Sequence, residues 1–557
     1  MRNRIFKFPA KAKTTVYLLT ATGFAYQAVD SNFLSHSSDS LPISSHFPEK
    51  IRTGIDGVVR SFRAISTITF TVVDYKYSLH GLPVDSDEYR RKLSETHLRS
   101  AKRILKLCEA NKGFYAKAGQ FVAALRQAPK EYTSTLSSLQ DQAVPCHFKA
   151  IKEVLVSNFG RDLSEIFLSF DEQPIAAASI AQVHHAVLKC HQEVAIKVQY
   201  PGLEQQMNVD TKTMSVLSKS IAWIFPEYRF EWLASEFAGA TALELDFIQE
   251  ARNSERTAKN LRDNKVIRVP HVFWELTTSQ VLTMQFCGGH KVDDVDFMNQ
   301  MGINPIKVVK ALIEVFAEMI FVHGFVHGDP HPGNILISPE GQNGFSLVLL
   351  DHGIYKQLDE GFRQDYCQLW KALILLDSNK ILHLGERFGV GKHARYFPLI
   401  FTGRTIDSKS ALGGGMSEEE KRNIKQELKS LKMNDISMFM ESLPPDFLMI
   451  LRIDGLLRSV IRKLGVPQQV RMLAYAKYAV YGLSPKLDLE SDFAVKVVFS
   501  RLLMNMNYLK LRLIIGVFEA ILALQKFKDI LCTLYIKING TFWGIMLDPT
   551  GKGLNIT

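Results

Sequence analysis

One stretch constrains this chain of 557 residues more than any other: Val326-His327-Gly328-Asp329-Pro330-His331-Pro332-Gly333-Asn334. It follows the apolar run from Ile306 to Val322, whose pattern predicts a buried helix. Prolines on both sides of His331 stiffen the loop, so Asp329 and Asn334 are held in a fixed relation before any ligand arrives. That pair suits phosphoryl transfer. The carboxylate can accept or orient the nucleophile's proton, and the amide oxygen can ligate a magnesium ion. A plain Pro/Gly turn uses the same residue types, so the stretch needs corroboration from elsewhere.

Corroboration comes seventeen residues beyond Asn334. Leu347 to Leu350 reads as a short buried strand, and it ends in Asp351-His352-Gly353. Protein kinases place a His-x-Asp with an Asn five residues on, then a strand-end Asp followed by x-Gly. Magnesium takes a few carboxylate oxygens plus phosphate oxygens and water, which Asp351 and Asn334 can share. His352 stands where the usual Phe would be. Upstream, Val194-Ala195-Ile196-Lys197 reads as a strand whose lysine would contact the α- and β-phosphates and pair with a helix glutamate.

The loop before that strand departs from the kinase pattern. Ala176, Ala177, Ala178 and Ser179 stand where glycines would let backbone amides approach phosphate. By propensity the alanines predict a helix start or tight turn. Downstream, Glu244-Leu245-Asp246-Phe247-Ile248-Gln249-Glu250 puts Asp246 and Glu250 on one helical face, a like-charge pair that a cation would relieve. Far upstream, Lys117 and Gln120 are helix neighbours beside Ala116, Ala118 and Gly119, which are small enough for close packing.

Together these residues resemble the UbiB family, the aarF-domain-containing atypical kinases, over roughly residues 90–400. The Asp-His-Gly at 351–353 and the lead-in HLRSAKRILKLCEANKG are similar to the aarF-domain-containing kinase 1 subgroup of animals. The resemblance implies an α+β, atypical protein-kinase-like two-lobed fold with an N-terminal helical extension and a largely helical C-lobe. It implies ATP or ADP as cofactor with Mg²⁺. It assigns catalytic roles to Asp329, Lys197 and Glu250, nucleotide contact to Lys197 and the loop Ala176, Ala177, Ala178 and Ser179, and metal ligation to Asn334 and Asp351. Lys117, Gln120, Glu244 and Asp246 would be regulatory. The implied setting is the mitochondrial inner membrane, in lipid or coenzyme Q homeostasis.

Domain expectations follow: 1–35 a targeting segment, 36–147 the helical extension, 148–290 the N-lobe, 291–505 the C-lobe and 506–557 a helical tail. The first 29 residues are basic and acid-free, with an apolar stretch from Thr14 to Val29, which suits mitochondrial import. A secretory signal peptide is the rival. The Ser- and Pro-rich stretch at 30–60 reads as a linker. Helices are expected over 87–112, Gly113 to Leu125 and 203–262, and strands over Val183–Val187, Glu193–Val198, Val269–Leu276 and Val281–Phe286. Strands give way to helices at about residue 290, a Gly-rich loop interrupts near Lys409 to Glu420, and 511–524 is an apolar run that fits either packing or a membrane.

The net charge of +10 is spread without a sustained basic block, which argues against nucleic acid as a partner. The six cysteines form no Cys-x-x-Cys pair, so a zinc or dithiol site is not expected. Gly328 replaces the Arg of the kinase His-Arg-Asp, and no Ala-Pro-Glu follows Asp351. A platform for a peptide substrate is therefore missing. The expected activity is ATP hydrolysis or phosphorylation of a small, lipid- or quinone-like acceptor. A nucleotide-gated scaffold with little turnover and a protein kinase are the alternatives.

Overall fold

The computed structural model describes residues 49–83, 86–124, 128–140, 145–224, 237–239, 241, 244–339, 344–408, 416–430, 442–483, 499, 502–517, 520 and 524. The chain divides into two compact units. One holds the described residues up to Arg256 with Val269–Gly288 and Asp351–Ile354; the other holds Thr257–Arg268, Gly289–Leu350 and the described residues from Tyr355 on.

The first unit opens with helices α1 (Glu49–Ser78), α2 (Asp87–Asn111), α3 (Gly113–Ala124) and α4 (Lys130–Leu136). Next come α5 (Phe148–Phe159), strands β1 (Phe167–Phe170), β2 (Ala176–Ala177), β3 (Ala181–Leu188) and β4 (Glu193–Gln199), then α6 (Leu203–Ile224) and α7 (Phe247–Asn260). Strand β5 (Ile267–Arg268) belongs to the second unit and β6 (Val281–Gln285) to the first. The sheet of the first unit runs β1-β3-β4-β6, all antiparallel, with β2 on β3.

The two-residue period of β4 decides what each face does. Val194, Ile196 and Val198 are fully buried with Ile151 and Leu155 of α5. Ala195 turns the other way, to a core that includes Phe247 and Ala251 of α7. Lys197 shares that second face, so strand alternation alone aims its ammonium at α7. The helices on this side are tied by a buried ion pair between Arg60 of α1 and Asp210 of α6, and Asn111 donates to the Arg60 carbonyl at 3.1 Å. Asn111 thus ties α2 into the same junction.

The second unit contains β7 (His290–Lys291), α8 (Pro305–Ala317), β8 (Phe325–His327), β9 (Ile335–Ser338), β10 (Ser346–Leu349) and β11 (Tyr355–Gln357). Helices α9 (Glu360–Leu375), α10 (Ser378–Arg387), α11 (Pro445–Lys463) and α12 (Gln469–Gly482) follow. Its sheet runs β5-β10-β9-β7, and β8 pairs with β11. Asn304 caps α8 by accepting from the Ile306 N–H, and Pro305 takes the first turn, where its missing N–H costs nothing. The helix then widens into a π turn, Glu318–His323, and stops at Gly324 with φ +64°. A π turn displaces backbone carbonyls from the regular ladder. Here the Phe321 carbonyl accepts from buried Arg363, which also donates to the Gly482 carbonyl at 2.9 Å. Gly482 has to be glycine: a Cβ there would lie 2.1 Å from that same Phe321 oxygen. This clamp fixes the backbone that feeds β8 and the loop after it.

Several local expectations are corrected. The stretch read as linker to residue 60 is helical from Glu49, because the Ser/Pro composition ends at Pro48 and buried positions Gly57, Arg60 and Ala64 then recur at helical spacing. Val269–Leu276 is not a strand. Pro270 removes a ladder donor, only Val272 bridges to Met284, and Trp274–Leu276 is a 3₁₀ turn. The helix expected across 203–262 is interrupted by a turn at Glu244–Leu245. Strands do not end near 290, since β8 to β11 frame the loops that follow α8. Residues 409–415 lie outside the described residues, and a helix begins at Glu418 within the span read as loop. The alanines of 176–178 do not start a helix. Ala176 and Ala177 pair with Val183 and Gln182 on the edge of β3, and the Ala178 N–H donates to the Ala181 carbonyl at 2.8 Å, closing a tight turn. Ladder bonds outweigh a propensity of a few tenths of a kcal/mol. The expected segment 1–35 also lies outside the described residues.

Candidate functional site

The candidate residues fall into two sets, one in each unit. In the first, Lys197 reaches both oxygens of Glu250 on α7, at 2.7 and 2.9 Å, and stands 3.6 Å from Asp351. Its ammonium also lies 5.1 Å from the centroid of the Phe247 ring. Glu250 is buried, while Asp351 keeps 40% of its side chain exposed. Burial pushes the Glu250 carboxyl up to about 7, against the pull of the Lys197 ammonium. Burial also works against the lysine's own charge. The carboxylates of Asp351 and Glu250 outweigh it, and Lys197 is held above the ordinary lysine range.

The backbone after Asp351 is built around this pair. The His352 N–H points to Glu250 Oε1 at 3.4 Å, and the His352 carbonyl accepts from Asn253 at 3.0 Å. Two residues one turn apart on α7 therefore hold the Asp-His-Gly segment. The Gly353 N–H donates to Asp351 Oδ1 at 2.9 Å. A Cβ on Gly353 would come within 3.2 Å of that oxygen and 3.6 Å of Glu244 Cγ. A side chain at this position would press on the Asp351 carboxylate.

Glu244 is largely buried and pairs with Lys117 of α3 at 2.9 Å. Gln120, on the same helix, donates its amide to the Leu139 carbonyl at 2.8 Å and ties α3 to the turn at Ser137–Gln140. Gly119 permits that closeness, since a Cβ there would be 2.4 Å from Leu139 Cδ1 and 3.0 Å from Cys108 Sγ. Asp246 does not share a helical face with Glu250. It stands just before α7, and its carboxylate accepts from the Ile248 N–H at 3.0 Å. The cation that relieves Glu250 is Lys197. In the alanine loop, the Ala178 carbonyl accepts from the Tyr200 hydroxyl at 3.0 Å.

In the second unit, the loop after β8 is organised by its own side chains. Buried His327 accepts from the Asp329 N–H through Nδ1 at 3.0 Å, and the His331 N–H donates to the Asp329 carbonyl at 2.8 Å. The 3₁₀ turn Pro332–Asn334 swings Asn334 back, so that its amide lies 3.2 Å from the Asp329 carbonyl and 3.3 Å from Asp329 Oδ2. The Asn334 carbonyl accepts from the Leu350 N–H at 3.0 Å, anchoring the loop to the end of β10. Arg452 of α11 stands 3.5 Å from Asp329 Oδ1. Sequence reasoning missed Arg452, because nothing distinguishes it from Arg458 or Arg462 on the same helix. It also missed Asn253, although its place one helical turn after Glu250 is a usable signal.

No group of three or more His, Cys, Asp or Glu among the described residues forms a ready-made metal cage. A magnesium ion needs none: one or two protein oxygens suffice when phosphate and water supply the rest. Asp351, partly exposed and oxygen-bearing, fits that donor chemistry.

Comparison with known proteins shows the family. A family model described as "ABC1 atypical kinase-like domain" matches residues 138–385. AarF domain-containing protein kinase 1 of Mus musculus is 40% identical over 415 residues, covering 73% of this chain and 78% of that protein. AarF domain-containing kinase 1 of Drosophila melanogaster is 34% identical, covering 75% of this chain and 82% of its own. A putative ABC1 protein of Arabidopsis thaliana is 35% identical, covering 73% and 79%. With its kinase-like α+β fold, the chain belongs to the ABC1/AarF family of atypical kinases.

Proposed function

We propose that this chain binds ATP or ADP with Mg²⁺ and works as an ATPase or as a kinase for a small, lipid- or quinone-like acceptor. The observation that carries the reading is the buried Lys197–Glu250 pair with Asp351 beside it. A lysine held charged between two carboxylates is positioned for phosphate oxygens, and a partly exposed carboxylate beside it is positioned for a phosphate-bound cation. Bound magnesium would neutralise phosphate charge. Asp351 and Asn334 are its proposed ligands, from the order and spacing of their motifs. Asp329 is the proposed proton acceptor, and its loop is held by His327 and Asn334 rather than left to order on binding. Lys117, Gln120, Glu244 and Asp246 are proposed to restrain the site, with the Lys117–Glu244 pair as the restraining contact.

The chain runs from Tyr355 to the start of α9 at Glu360 in five residues, which leaves no room for a peptide-binding activation segment. This favours a small acceptor over a protein. The acid-free basic start supports mitochondrial import and a role in lipid or coenzyme Q homeostasis at the inner membrane. Turnover by purified protein on cardiolipin-containing liposomes, with quinone precursors added and Asp351→Asn as the blank, tests the activity. Equal rates for wild type and the blank would end the enzymatic reading. Residues 1–35 fused to a fluorescent reporter test the address, and entry into the secretory pathway would overturn it.

A further inference from the structure

Residues 502–517 form a helix in the second unit with two apolar faces. One is used: Leu511 and Ile515 are buried, the Tyr508 ring meets Tyr481 of α12 edge-on at 6.2 Å, and the Tyr481 hydroxyl bonds Asn505 at 2.6 Å. The other is bare. Leu502, Met506, Leu509, Leu513 and Val517 follow one another at spacings of three and four, and each is between 57% and 62% exposed. At about 100° per residue these five fall on one stripe, opposite the buried face. Lys510 lies on one side of the stripe and Arg512 on the other, both exposed, and no acidic residue occurs among the described residues 502–517.

We propose that this stripe is a membrane-surface contact that lies on anionic lipid, with Leu509 and Leu513 entering the acyl boundary and Lys510 and Arg512 meeting lipid phosphate. This deepens the membrane part of the proposed function and does not depend on its nucleotide chemistry. The helix has the composition of an interfacial segment: a strong apolar face flanked by cations alone. A second copy of the chain is a poor occupant. A two-fold contact centred on Leu509 and Leu513 would bring the Lys510 and Arg512 flanks of both copies together, and residues 502–517 hold no carboxylate to pair with them. Nor is this a spanning segment, since among the described residues no helix is long and apolar enough to cross a membrane.

The test uses the full chain and phosphatidylcholine vesicles with and without phosphatidylglycerol, read by co-sedimentation. Wild type is expected to partition onto the phosphatidylglycerol vesicles and to be released by added salt. Leu509→Asp/Leu513→Asp and Lys510→Gln/Arg512→Gln should each lower the partition by roughly tenfold or more. Both variants change exposed residues and should keep the wild-type thermal shift with Mg-ATP. Asp351→Asn should sediment like wild type, so loss of nucleotide binding and loss of vesicle binding are separable. Three results would overturn the proposal: no partition by wild type, equal partition by both surface variants, or a concentration-dependent dimer that Leu509→Asp/Leu513→Asp dissolves.

Discussion

Arg452 stands 3.5 Å from the carboxylate of Asp329, across from the bonds that Asn334 makes to the same residue. An ion pair of this exposure contributes at most about 1 kcal/mol to stability. Its larger consequence is orientation of the carboxylate. Arg452→Gln should therefore lower kcat by about tenfold while thermal stability changes little. Steady-state ATPase kinetics beside a melting curve checks this. A large loss of stability with kcat retained would make Arg452 a structural residue only.

Lys117→Ala should destabilise the first unit by about 2 kcal/mol, because it removes the ammonium that stands 2.9 Å from the largely buried carboxylate of Glu244. Lys117→Arg should recover most of that. Denaturant unfolding of the two variants separates lost charge from lost packing. Both variants unfolding like wild type would mean that the pair contributes nothing.

Gly119→Val should cost about 1–3 kcal/mol, since even a Cβ at this position would lie 2.4 Å from Leu139. If melting is unchanged, α3 is not packed against the Ser137–Gln140 turn as described.

The alanine hairpin gives a prediction with a revised mechanism. Ala176 and Ala177 are restrained by pairing with β3, and not by helical propensity. Ala177→Gly should loosen that edge, change the relative affinities for ATP and ADP, and raise self-phosphorylation. Nucleotide titration and radiolabel incorporation check both effects. Identical values for variant and wild type would show that the alanines serve only the sheet.

What could be read from the sequence was what depends on local pattern. The β-prone run of β4 and the apolar run of α8 placed those elements where the structure has them, and the spacing of Asp329, Asn334 and Asp351 named candidate groups. Partners distant in sequence were harder. Glu250 was named because the family resemblance implies a helix glutamate as partner of the strand lysine. Arg452, 123 positions along the chain from Asp329, carries no local mark. Propensity misled where ladder bonds decided the outcome, at Ala176–Ala177, and where Pro270 cut a strand short. The assumed helical face shared by Asp246 and Glu250 failed because α7 starts one residue after Asp246.

The central claim is that Lys197 and Asp351 hold a magnesium nucleotide, and thermal shift with Mg-ATP tests it most directly. A ligand at 100 times its Kd stabilises by about 2.7 kcal/mol, a shift of several degrees. Wild type should show that shift, and Lys197→Arg and Asp351→Asn should both abolish it, because one changes the phosphate contact and the other removes a metal oxygen. Both variants shifting as far as wild type would contradict the account.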